Sequence, residues 1–187
     1  TLIRNRDSEE FMVEPSVAFI RMSSGEIIGM VVICRDVTEN RKLAAQLCWE
    51  ASHDPLTNLI NRREFKRRLS ELMEEKAKIE SEHSLCYLDL DQFKIVNDTC
   101  GHAAGDELLR QVTTLLQSQI RKTDLLARLG GDEFALLLYE CPLKQARQVA
   151  EDLRQVVQDF RFVWQDKTFS IGVSIGLVKL DPIVTSL

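Results

Sequence analysis

From residue 84 to residue 180 the apolar pattern switches repeatedly between a strand period and a helix period, which restricts the chain to a layered arrangement of helices on a sheet. SLCYLDLD (84–91) reads as a buried strand and AAGDELLRQVTTLLQSQI (103–120) as an amphipathic helix. DLLARL (124–129) and EFALLLY (133–139) read as two strands around Gly130-Gly131, a hairpin-turn dipeptide. LKQARQVAEDLRQVVQDF (143–160) gives a further helix. FRFVWQ (160–165) and TFSIGVSIGLVKL (168–180) read as a hairpin turning through Asp166-Lys167. The expected fold class is α/β, an α+β sandwich. The 187 residues leave room for one full domain with about forty residues to spare.

The leading residues are organised differently. Residues 11–37 read as two β-rich segments around SSGE, the tail end of a domain, because an isolated hairpin is marginal in water. TENRKLAAQLCWEAS (38–52) spaces Leu43, Leu47 and Ala51 as a helix does, with Thr38 as its N-cap. HDPLTNLINRREF then carries turn residues and enters a helix running to about Glu80. That helix is basic first (Arg62, Arg63, Lys66, Arg67, Arg68) and acidic later, and the mixed signs favour a solvated face over a phosphate-binding patch.

Composition excludes several classes. A net charge of −5 argues against indiscriminate nucleic-acid binding. Five scattered cysteines with no CxxC spacing argue against a disulfide framework and a zinc site, and point to a reducing cytoplasm. No apolar run approaches the roughly 20 residues of a membrane span, so no membrane contact is expected of this segment; an anchor upstream in a parent chain stays open. There is neither a GxxxxGK[ST] loop nor a GxGxxG after a strand, which removes P-loop and Rossmann readings.

The chemistry concentrates in residues 86–109 and 127–138. Asp89 and Asp91 close an apolar strand, and strand periodicity puts both carboxylates on one side with Leu90 on the other. A loop carrying Asn97, Gly101, His102, Gly105 and Asp106 leads into the next helix. Carboxylates at a strand's C-terminal end beside a glycine-containing loop suit a Mg²⁺-nucleotide site. In the second stretch Asp132 and Glu133 follow the two glycines. Taken alone, this is either a solvated hairpin tip or a turn that a ligand approaches closely. With Asp89, the two acid sets are placed to share a hard cation.

GGDEF at 130–134, HDPLTNLINR at 53–62, DLDQFKIVNDTCGHAAGDELL at 89–109 and SIG at 174–176 together resemble the GGDEF family, the diguanylate cyclases. The resemblance covers about residues 50–180, with four motifs in order. It implies a central, mostly antiparallel sheet flanked by helices, related to nucleotidyl cyclases and polymerase palms. It also implies condensation of two GTP into cyclic di-GMP with release of pyrophosphate, by a homodimer in which each domain holds one GTP. By that similarity Asp89, the backbone carbonyl of Leu90, Asp132 and Glu133 hold Mg²⁺ (or Mn²⁺), and either Asp132 or Glu133 accepts the proton. Lys94 stabilises the transition state. Asn97 and Asp106 read the guanine edge, where an amide and a carboxylate match its donors and acceptors. Phe93 and Leu109 line the base pocket, while His102 is either a ligand contact or a loop-fixing residue.

The resemblance extends to regulation. Arg121-Lys122-Thr123-Asp124 resembles the RxxD site at which cyclic di-GMP inhibits many cyclases, with Arg128 as an additional contact; the bland alternative is a helix-end ion pair. GEIIGMVVICRDVTENRKL resembles the last strands of a PAS domain, with Asp36 and Thr38 in its DxT signature. The implied organisation is a PAS hairpin at 1–38, a signalling helix at 39–52 that pairs in the dimer, and a GGDEF domain at 53–187. Family members continue after SIG into a helix carrying an AD..Y..AK pattern, and DPIVTSL lacks it, so the expected domain is truncated at its C-terminus. The alternative function is a silent GGDEF module that binds GTP or cyclic di-GMP and regulates an EAL phosphodiesterase domain. Retention of Asp89, Asp132 and Glu133 favours the enzyme.

Overall fold

The computed structural model describes residues 2–4, 10–76 and 81–180. The chain divides into two compact units, Thr1–Ala51 and Ser52–Leu187.

In the first unit, β1 (Leu2–Arg4), β2 (Glu10–Arg21) and β3 (Ile27–Asp36) form an antiparallel sheet in the order β1-β2-β3. The hairpin expected from the sequence is present, with the short β1 added at its edge. Helix α1 (Thr38–Ser52) follows. Its start is not capped as expected: the Thr38 hydroxyl accepts the Met12 N–H of β2 at 2.7 Å, and the Asp36 carboxylate accepts the Thr38 N–H at 2.9 Å. Hydrogen bonds from the Thr38 side chain and N–H hold the Asp36 carboxyl below its ordinary value. Helix α1 buries none of its residues, and Leu43, Leu47 and Trp49 are exposed.

The second unit is built on a five-stranded sheet. Its strands are β4 (Ile60–Asn61), β5 (His83–Asp91), β6 (Leu125–Gly130), β7 (Glu133–Leu138) and β10 (Gly172–Leu180), in the order β10-β5-β7-β6-β4. All neighbours are antiparallel except β4 and β6, which are parallel. In β5 the side chains of Cys86, Leu88 and Leu90 are buried and those of Tyr87, Asp89 and Asp91 are exposed, so this strand buries one face. The buried face meets α4 (His102–Ser118) and α5 (Leu143–Asp159) through Leu108, Val112, Leu116, Leu153 and Val157. On the other face α2 (Arg62–Lys76) covers Ala127, Ala135 and Leu137 with Phe65 and Leu72.

Four local expectations change. Residues 93–100, expected as a loop, form helix α3 (Phe93–Cys100), entered through Gln92 in a left-handed conformation (φ 65°). The two-residue β4 was not foreseen; a strand that short has no periodicity to read. The stretch 168–180 is not one strand. It breaks at Ile171, and β9 (Lys167–Ser170) pairs with β8 (Arg161–Trp164) in a separate ribbon while β10 joins the central sheet. The Trp164–Lys167 pairing puts the hairpin turn at Gln165-Asp166 rather than Asp166-Lys167. The expected helical continuation to Glu80 and the DPIVTSL segment lie outside the described residues.

Helix α2 accounts for the basic run. Asn61 Oδ1 accepts the Glu64 N–H at 3.0 Å and so caps the first turn. Arg67 and Arg68 are engaged by Glu64, and Arg67 also by Glu71. Hydrogen bonds from Arg67 and then Arg68 pull the Glu64 carboxyl down to about 2.

Candidate active site

The central strands bring the two acid sets together. In the β5–β7 register Asp89 lies opposite Glu133, and the Leu90 N–H donates to the Asp132 carbonyl at 3.2 Å. Leu90 points its side chain into the core, as its alternation with Asp89 and Asp91 requires. Between β6 and β7 the turn passes through Gly130 (φ 144°) and Gly131 (φ 53°), backbone conformations that a side chain disfavours. The ladder is irregular between Arg128 and Gly130, which re-aims the turn relative to a regular hairpin.

The convergence has an electrostatic consequence. The Asp89 carboxyl is raised first by burial and then by the charges of Asp132, Glu133 and Asp91. Asp91 is separately engaged: Ser174 Oγ donates to its Oδ1 at 2.8 Å, and a Cβ on Gly172 would stand 2.7 Å from Oδ2. Glu133 receives Arg62 Nη2 at 3.2 Å, and interaction with the Glu133 carboxylate raises the Tyr87 hydroxyl. Among the described residues no group of three or more His, Cys, Asp or Glu side chains is drawn into a coordination shell. The chemistry of the donors nevertheless fits a hard divalent cation: they are oxygens only, and their mutual repulsion is the term such a cation removes.

A second set of residues lies on α3 and α4. Asn97 sits on α3, with its Oδ1 buried and without a hydrogen-bond partner. It faces Gly105 of α4, where a Cβ would come within 2.0 Å of Oδ1 and 2.9 Å of Cγ. The glycine therefore keeps open the space that Asn97 occupies. Asp106 follows on α4 and is exposed, as are Lys94 and His102. Phe93 is half-buried against the main core, and Leu109 belongs to that core with 1% exposure.

The 121–124 segment is a turn between α4 and β6. Arg121 N–H donates to Asp124 Oδ2 at 3.1 Å and Asp124 N–H to the Arg121 carbonyl at 3.0 Å; no Arg121–Asp124 side-chain ion pair occurs among the described residues. The second oxygen of Asp124 is buried and unpartnered, and the Arg121 side chain is exposed. Arg128, expected beside this pair, directs its guanidinium elsewhere, to Asp54 and to the carbonyl of Gly131. Sequence reasoning singled out neither Asp54, Arg62 nor Tyr87 for the site; the signal available was that Asp54 and Arg62 bracket the 53–62 motif.

Residues 51–184 match the family described as diguanylate cyclase, GGDEF domain. The chain is 42% identical over 176 residues to the probable diguanylate cyclase DgcE of Escherichia coli, covering 94% of this chain and 16% of that protein. It is 34% identical over 185 residues to the diguanylate cyclase TpbB of Pseudomonas aeruginosa, covering 95% of this chain and 41% of that protein. It is also 38% identical over 166 residues to the cyclic di-GMP phosphodiesterase PdeB of Shewanella oneidensis, covering 89% of this chain and 19% of that one. The chain thus spans less than half the length of each of these relatives. Among solved structures, the coiled coil and GGDEF domain of DgcB from Caulobacter crescentus in complex with c-di-GMP superposes with a TM-score of 0.73 at 29% identity, covering 78% of each chain. The diguanylate cyclase SiaD of P. aeruginosa gives 0.68 at 36% identity, covering 76% of this chain and 55% of that one.

Proposed function

This chain belongs to the GGDEF family of diguanylate cyclase domains, and from that premise we propose that it condenses two GTP into cyclic di-GMP with release of two pyrophosphates. Each 3′-hydroxyl attacks the α-phosphate of the other nucleotide, so the active unit is a homodimer with one GTP per domain. The observation that carries this reading is the placement of Asp89 opposite Glu133, with Asp132 tied to β5 through its carbonyl. It gathers at one end of the central strands the acids that the chemistry needs.

The chain's own residues divide the work. Asp89, the Leu90 carbonyl, Asp132 and Glu133 would hold Mg²⁺ or Mn²⁺. When bound, the cation neutralises developing charge and acidifies the attacking hydroxyl. Asp132 or Glu133 takes the proton, and Lys94 stabilises the transition state. Asn97 and Asp106 bind the guanine edge, and the unpartnered Asn97 oxygen supports this role. Adenine would leave the buried Asn97 oxygen without a partner, which is costly. Phe93, His102 and Leu109 complete the base subsite. Cyclic di-GMP binds back at Arg121 and Asp124, a role the unpartnered Asp124 oxygen supports.

Residues 1–38 act as the end of a PAS sensor, and 39–52 as a helix that pairs in the cytoplasmic dimer, where the exposed Leu43 and Leu47 supply the seam. A second reading, a silent module regulating a phosphodiesterase domain, draws support from the similarity to PdeB. Product analysis after incubating the full-length protein and its Asp132→Ala variant with GTP and Mg²⁺ separates the two. Cyclic di-GMP from the parent but not from the folded variant supports the cyclase; none from a folded, GTP-binding parent refutes it.

A further inference from the structure

All three guanidinium nitrogens of Arg128 are engaged. Its Nε and Nη2 both donate to the Gly131 carbonyl, at 3.0 and 2.8 Å, and its Nη1 donates to both oxygens of Asp54, at 3.0 and 3.2 Å. The two side chains are only 11% and 20% exposed, which removes them from the class of surface pairs that contribute little.

Asp54 is itself prepared for this task. It accepts the Thr57 N–H at 2.9 Å and the Thr57 hydroxyl at 2.7 Å, and its own backbone closes the turn through Leu59 and Asn58. Burial raises its carboxyl, but the hydrogen bonds from Thr57 and Arg128 outweigh that and leave it lowered, ionised and able to orient the guanidinium.

The consequence falls on the turn. Gly131 at φ 53° presents its carbonyl to Arg128, and the next carbonyl, that of Asp132, is held by Leu90 N–H. Two successive carbonyls are thus pinned from two sides, one by a side chain and one by β5. Between them they set the direction in which the Asp132 carboxylate leaves the backbone. Only arginine has the fork to chelate one carbonyl and still grip a carboxylate; a lysine ammonium is a single point charge.

We propose that Arg128, oriented by Asp54, is a positioning residue that sets the Gly130–Glu133 turn and thereby presents Asp132 and Glu133 to the divalent cation on the nucleotide's phosphates. The proposal rests on the functional reading above. It gives Arg128 a different role from a contact to cyclic di-GMP.

The test uses the full-length protein, its Arg128→Lys variant and its Asp54→Asn variant. Mn²⁺ binding in the presence of GTP is read by electron paramagnetic resonance, beside turnover at increasing Mn²⁺, cyclic di-GMP inhibition and urea unfolding. Outer partners of metal-holding groups typically alter affinity by about 10- to 100-fold. Arg128→Lys is therefore expected to weaken Mn²⁺ binding at least about tenfold, with the turnover defect rescued by excess Mn²⁺ and the GTP KM little changed. Asp54→Asn shifts the Mn²⁺ midpoint the same way by less. A folded Arg128→Lys protein with the parental Mn²⁺ midpoint overturns the proposal, whatever happens to product inhibition. Should Arg128→Lys not fold, an unshifted midpoint in folded Asp54→Asn overturns it instead. A parent that makes no cyclic di-GMP sinks the cyclase reading alone, because the Mn²⁺ comparison still decides the role of Arg128.

Discussion

Replacing Gly105 with alanine separates the stability of the α3–α4 pair from the guanine binding proposed for it. The new Cβ would lie 2.0 Å from Asn97 Oδ1, 2.9 Å from Cγ and 3.2 Å from Nδ2, so the Asn97 side chain must rotate away. That oxygen has no hydrogen-bond partner to lose, and an off-rotamer side chain costs about 0.5–1.5 kcal/mol. Against this, alanine is favoured over glycine inside a helix by about 0.8–1.0 kcal/mol. The two terms nearly cancel, and folding stability is expected to stay within about 1 kcal/mol of the parent. Binding has no such compensation. If Asn97 holds the base as proposed, losing that contact while leaving a guanine group unpaired costs about 1–3 kcal/mol, or about 5- to 150-fold in GTP affinity. Urea unfolding measures the first quantity, and equilibrium titration with GTP the second. Unchanged GTP affinity would refute the assignment of Asn97 to the base. A stability loss above about 3 kcal/mol would instead make Gly105 a packing residue.

Other perturbations probe separate parts of the molecule. Arg121→Ala removes the charged partner proposed for the product and should raise the inhibitory concentration of cyclic di-GMP about 10- to 150-fold; an unaltered inhibition curve removes the RxxD assignment. Leu108→Ala, at a fully buried position between α4 and the sheet, should cost about 2–5 kcal/mol in urea unfolding, and a smaller loss would show that the core collapses onto the gap. The Asp54 carboxyl is lowered in the folded state, so its contribution is present above the ordinary value of 3.8 and lost as the pH falls through the depressed one. Asp54→Asn should therefore be less stable than the parent at neutral pH, with the gap closing below about pH 4; a constant gap contradicts the ionised pair.

The legibility of the fold followed the range of the interactions. Helix α3 was missed because its eight residues carry Asn97, Asp98 and Thr99, which favour turns locally; packing against α4 overrides them. The stretch 168–180 read as one strand because nothing in its β-rich pattern marks Ile171 as the point where the chain leaves one sheet for another. At the site, the acids were readable because each pair is adjacent or two apart in sequence. The engagement of Glu133 by Arg62, 71 residues away, was not.

What the sequence determined by itself was periodicity and chemistry: a strand ending in Asp89 and Asp91, a glycine turn carrying Asp132 and Glu133, and amphipathic helices around them. Those properties are local, written in side-chain alternation and turn propensity over a few residues. The tertiary structure alone decided that Asp89 stands across from Glu133, that Asn97 fills the space over Gly105, and that Arg128 turns to Asp54 and Gly131. Each of those pairings depends on strand order and helix packing. A guanidinium takes whichever carboxylate and carbonyl the folded backbone brings within reach, and a sequence separation of 74 leaves no local mark of that choice.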